Sequence, residues 1–92
     1  MSDDMISKEV EIQNEYGFHF VPAGKFVNIA SKYNAQITVE RDGIEPVEGK
    51  SVIALVTIEA NKGCKIRINA VGADAKQAVD ELVELVDSKF GE

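Results

Sequence analysis

The chain has 92 residues, 45% of them hydrophobic, with two prolines, one cysteine, one histidine and a formal net charge of −6. That is enough for one domain, residues 1–92, with a modest core and no separate substrate domain. Its ten basic residues are scattered rather than clustered, which argues against nucleic acid as a partner. A lone cysteine beside a lone histidine leaves no intramolecular disulfide and no convincing metal shell.

Residues 1–5 are polar and acidic and are expected to fray. Ile6, Val10 and Ile12 then fall at even spacing among Lys8, Glu9 and Glu11, the pattern of a strand with one buried face. Residues 14–18 form a loop that leads to His19. From Pro22 onward, Ala23, Phe26, Val27, Ala30 and Tyr33 recur at helical spacing, with Asn34 as the stop. Pro22 suits the first turn of that helix, because it has no N–H to lose there and its φ is already helical. His19 therefore lies at or just before a helix N-terminus, where free amides and the helix dipole favour an anion. An imidazole with a near-neutral pKa could accept a phosphoryl group there. The plainer alternative is a histidine that caps the helix or fills a surface gap.

Ala35, Ile37 and Val39 alternate with Gln36, Thr38 and Glu40 as a second strand, which runs into an Asp42-Gly43 hairpin turn. The return strand, 44–47, carries Pro46 and belongs at an edge or a bulge. The apolar run 52–56 could be a strand or a short helix, and Ser51 ahead of it, a good N-cap type, favours the helix. At 52–58 the longest apolar stretch is far too short to span a membrane, and no secretory signal appears; a soluble, cytoplasmic protein is expected. Cys64, Ile66, Ile68 and Ala70 alternate with Lys65, Arg67 and Asn69 in the clearest strand, which makes Cys64 a buried small hydrophobe. Asp74 and Gln77 resemble a capping box for a last helix. Its apolar face would hold Ala75, Ala78, Val79, Leu82, Val83, Val86 and Phe90. Asp80, Glu81, Glu84 and Asp87 read as its solvated side. The order β-α-β-β-α-β-α implies an α+β open-faced two-layer sandwich, with three helices on one face of a mainly antiparallel four-stranded sheet.

With a histidine before the first helix and a serine before the short second one, this pattern resembles the HPr family of histidine-containing phosphocarriers of the phosphoenolpyruvate-dependent sugar phosphotransferase system. The resemblance runs from about Val10 to Phe90. Gly17-Phe18-His19 and Pro22-Ala23 match the family's Gly-Leu-His-x-Arg-Pro-Ala motif at every position but two, and Phe26-Val27 match the Phe-Val that follows. Ile37-Thr38-Val39 looks like the family's second strand and Lys50-Ser51 like its regulatory serine site. Gly72-Ala73-Asp74 leading into Ala78-Val79 and Leu82-Val83 is similar to its last helix.

The resemblance implies that His19 takes a phosphoryl group on Nδ1 from enzyme I and passes it to the A component of a sugar permease. It implies a regulatory role for Ser51, with a serine kinase and a transcription regulator as further partners; a plain helix cap is the other reading of that serine. One departure matters: Val21 stands where the family has arginine. The rim of Phe20, Val21 and Val52 is apolar, Lys25, Lys50 and Ile53 are expected to join it in one partner-binding surface with Ser51 on the same face as His19, and no cationic side chain follows His19 until Lys25. Such a surface binds mainly by desolvation rather than by charge steering. Two functions from different classes therefore stand. The leading one is a phosphocarrier, a relay rather than an enzyme with its own turnover, with no cofactor. The alternative is a regulatory paralogue that acts through protein binding and Ser51, with little or no transfer through His19. A free-standing hydrolase or metal enzyme is disfavoured, since no nucleophile has a partner at recognisable spacing.

Overall fold

The structure is a computed structural model that describes residues 4–91. In chain order its elements are β1 (Met5–Glu11), α1 (Phe20–Ala30), β2 (Gln36–Arg41), β3 (Ile44–Glu48), α2 (Val52–Thr57), β4 (Lys65–Val71), α3 (Ala75–Asp87) and a 3-10 turn over Lys89–Gly91. The strands form one antiparallel sheet in the order β1-β4-β2-β3. This is the open-faced α+β sandwich that the alternation of the sequence implies.

Register explains the two faces. Val10 lies opposite Ile66, Ile37 opposite Ala70 and Val39 opposite Ile68, so one set of alternating side chains faces the same way and is buried. Against them lie Ala23, Phe26 and Ala30 of α1, Leu55 of α2, and Ala78, Val79, Leu82 and Val86 of α3. The other face is polar and cross-linked. Ser7 Oγ donates to Asn69 Oδ1 at 2.7 Å, and Asn69 Nδ2 donates to Glu40 Oε2 at 2.9 Å and Thr38 Oγ1 at 3.2 Å. Asn69 is buried, and these bonds offset the cost of taking its amide out of water. β3 is an edge strand, and the ladder slips beside Pro46, between the Val39–Val47 and Arg41–Ile44 pairs. Both consequences of that proline are thus present.

Several local expectations are corrected. Of the residues expected to fray, 1–3 lie outside the described residues, whereas Met5 is already in the ladder opposite Val71. α1 begins two residues earlier than Pro22 and stops at Ala30; Tyr33 lies beyond it in a turn whose N–H reaches Ala30 O. α3 ends at Asp87, and Phe90 is buried from a separate left-handed turn. Cys64 is only half-buried, because it precedes β4 at the sheet margin. Glu81 is not simply solvated. It accepts from Lys32 Nζ and from the Tyr33 hydroxyl, and these donors hold its carboxyl below the usual range.

Asp74 is the N-cap of α3 but its side chain does not cap that helix. Instead Oδ2 accepts from Asn34 N–H and Oδ1 from Ala35 N–H, both at 2.9 Å, so the carboxylate ties the α3 start to the entry of β2. Gly72 makes the approach possible: a Cβ there would sit 2.9 Å from Ala35 Cα. Asp74→Ala should lower stability by about 1–3 kcal/mol, because it leaves the part-buried Ala35 amide unpaired and releases the Asn34 amide to water. Urea unfolding should show a lower midpoint at an unchanged slope, with Asp74→Asn recovering part of the loss.

Candidate functional site

His19 is the N-cap residue of α1, with extended backbone, a half-exposed side chain and no side-chain capping bond. Its carbonyl accepts the Ala23 N–H at 2.9 Å and closes the first turn. Helix geometry leaves the amides of Phe20 and Val21 without an intrahelical acceptor, and Pro22 has no N–H. The imidazole thus stands beside the positive end of an eleven-residue helix.

The preceding loop holds it there. Buried Asn14 donates from Nδ2 to Gly17 O at 2.7 Å, and Gly17 N–H returns to Asn14 O at 3.2 Å. Gly17 has φ +71°, and a Cβ on it would lie 2.5 Å from Ala60 O, so only glycine fits. Phe18, 2% exposed, donates its N–H to Ala60 O at 2.9 Å. Its ring lies 5.3 Å from that of Phe26 and 5.6 Å from that of Phe90. Tyr16 sets its ring edge-on to the His19 imidazole at 5.9 Å. A shallow pocket of about 350 Å³ opens there, lined by Tyr16, Phe18, His19, Val56, Glu59, Ala60 and Asn61.

The other sequence-derived candidates divide into two groups. Phe20, Val21 and Ile53 are exposed apolar side chains, and Val52 is half-buried. The two lysines are engaged: Lys25 Nζ donates to Phe90 O and Lys50 Nζ to Tyr33 O, each at 2.7 Å. Ser51 is the N-cap of α2, and its Oγ accepts from Ala54 N–H at 3.2 Å. The two helix N-termini do not open on one edge. Val56, Glu59 and Ala60, at the C-terminal end of α2, border His19, while Lys50 at its start reaches Tyr33 beyond the end of α1. Six helical residues, about 9 Å, intervene.

Five residues of the pocket, Tyr16, Val56, Glu59, Ala60 and Asn61, were not among the sequence-derived candidates. Tyr16 gives no periodic signal, since it sits in an irregular loop. Glu59 occupies the left-handed position after α2, φ +52°, where sequence rules look for glycine.

The pattern described as PTS HPr component phosphorylation site matches residues 6–88. The chain belongs to the HPr family. The phosphocarrier protein HPr of Borreliella burgdorferi is 43% identical over 84 residues, which cover 91% of this chain and 96% of that one. A multiphosphoryl transfer protein of Escherichia coli O157:H7 is 36% identical over 99% of this chain, which spans 25% of that longer protein. The crystal structure of HPr-C-His from Thermoanaerobacter tengcongensis has a TM-score of 0.89 at 38% identity, covering 95% of this chain and 97% of that one. This HPr-family chain is a phosphocarrier of the phosphotransferase system, and its partners are proteins of that system. No helix among the described residues is long and apolar enough to cross a membrane.

Gly17→Ala should cost about 1–3 kcal/mol through its left-handed backbone alone, and the approach to Ala60 adds to that. Thermal unfolding measures the loss. The His19 ring resonances should shift in the same variant, because Phe18 and His19 hang from that contact.

Proposed function

We propose that His19 is the phosphoryl acceptor, that enzyme I is the donor, and that the A component of a sugar permease is the recipient, in the cytoplasm. One observation carries this reading in a chain of this family: the sole imidazole stands unbonded at the start of α1, on a loop fixed by Gly17 and Phe18. In its neutral form His19 offers the Nδ1 lone pair while Nε2 keeps its proton. That pair forms the N–P bond as the bond from phosphorus to the donor atom breaks and its electrons return to the donor. Delivery reverses the step. Helix amides stabilise the added charge without a covalent partner of their own.

Ser51 is the second modifiable position, open to a serine kinase and read by a transcription regulator. Its capping role is compatible with that, because a phosphorylated or acidic side chain still presents an oxygen to Ala54 N–H.

Incubation with phosphoenolpyruvate and an active cognate enzyme I should add one phosphoryl group, seen by intact mass, labile in acid and absent from His19→Ala. No addition with a demonstrably active enzyme I would leave the regulatory paralogue as the function.

Ser51→Asp should slow transfer through His19, because it sets a charge beside the apolar Val52 and Ile53 that a docking partner would cover, while leaving the unfolding temperature nearly unchanged, since an acid at a helix start is locally favourable. A large loss of stability in that variant would make Ser51 a structural cap and nothing more.

A further inference from the structure

Charge around His19 is arranged unusually for a site that is to carry a phosphate. The pocket is lined by one carboxylate, Glu59, and by no basic side chain. The nearest lysine along α1, Lys25, is engaged with Phe90 O; Lys50 is engaged with Tyr33 O, and Lys32 with Glu81. The exposed rim is apolar: Tyr16 is 74% exposed and Phe20 59%, and Val21 is open beside them.

Glu59 itself is held at a cost. It follows Ile58, the C-cap of α2, and its N–H closes the turn on Val56 O at 3.1 Å. Its φ of +52° is one that glycine adopts freely and an L side chain resists. Glycine there would end the helix equally well. Backbone strain of this kind, kept beside a reactive group, points to a use for the side chain.

A phosphoryl group adds nearly two negative charges, and its transfer is stabilised by cations around the moving oxygens. Here the pocket wall supplies a negative charge instead. We propose that Glu59 is a specificity-determining residue: it selects a docking surface that is apolar where it meets Tyr16, Phe20 and Val21 and that brings an arginine or lysine to the pocket. That cation pairs with Glu59 on docking and supplies the counter-charge for the phosphoryl group during transfer. The inference rests on His19 as the acceptor, and it names the chemistry of the partner.

The test compares initial rates of transfer from phosphorylated enzyme I to the wild-type chain, Glu59→Gln, Glu59→Lys and Glu59→Gly, at low and high salt. Glu59→Lys should raise KM about tenfold at low salt, with the difference shrinking in high salt, as a solvent-exposed rim charge pair predicts. Glu59→Gln should fall between. Glu59→Gly should share the KM of Glu59→Gln yet unfold about 4 °C higher, which separates charge from strain. Phosphorylation of His19 by phosphoramidate, which involves no protein partner, should be no slower in any variant. A KM indifferent to the charge at position 59, or an equal slowing of the phosphoramidate reaction, overturns the proposal. If phosphoramidate labels the wild-type chain and enzyme I does not, the acceptor reading itself falls, and this inference with it.

Discussion

Everything at the reactive end of the molecule hangs from Phe18. The residue that must be open to partners, His19, directly follows one whose ring is enclosed by Phe26 and Phe90 and whose amide is bonded to Ala60. An aromatic side chain buried in this way contributes several kcal/mol, on the order of the 3–5 kcal/mol lost when such a ring is truncated in a core. A surface histidine on a free loop would sample many orientations; one anchored at its neighbouring residue does not. The anchor reaches both chain ends of the core. Phe26 comes from α1 and Phe90 from the closing turn, where Lys25 in turn clasps the Phe90 carbonyl. Helix, loop and C-terminal turn therefore hold the imidazole jointly, and the free energy for that rigidity comes from the hydrophobic core rather than from the site.

The distribution of charge follows a similar economy of position. Of three lysines that a count of basic residues would place near the working surface, Lys32 pairs with Glu81 at the surface, and Lys25 and Lys50 are bonded inward to carbonyls. They fasten loop and helix ends, where unsatisfied carbonyl groups accumulate. What remains outward beside His19 is apolar, neutral polar or acidic, with no basic side chain in the pocket lining. Binding there gains from removal of apolar surface from water and loses whenever a charge is desolvated without a partner. A phosphocarrier of this design depends less on long-range attraction and more on fit.

Much of this was legible in the sequence, for identifiable reasons. Strand alternation in β1, β2 and β4 and the helical spacing in α3 follow from burial on one face, and burial is the strongest local signal. Pro46 marked the edge, and Ser51 resolved an apolar run that periodicity left open. The capping box failed because a carboxylate can satisfy any nearby amide: Asp74 has Asn34 and Ala35 within reach through the fold, a contact across about forty residues that no local rule contains. The carbonyl contacts of Lys25 and Lys50 were hidden for the same reason. Their side chains are long enough to find carbonyls from other elements, so their position on a helix face or before one says little about where the ammonium goes. Glu59 was invisible because its importance lies in a backbone angle that its residue type disfavours.

The order of strands in the sheet also bears on how the chain comes to be folded. β4 lies between β1 and β2, so the first strand made has its hydrogen-bonding partner almost sixty residues later. Only the β2–β3 hairpin can pair locally as the polypeptide leaves the ribosome. Met5–Glu11 must wait, its edges unpaired, until Lys65–Val71 emerges. Closing such a long loop delays folding and leaves a strand exposed to other chains in the interval. Glu9 and Glu11 in β1 and Lys65 and Arg67 in β4 carry charge along strands that would otherwise be free to aggregate, so the same residues that line the open surface of the finished sheet guard it during synthesis.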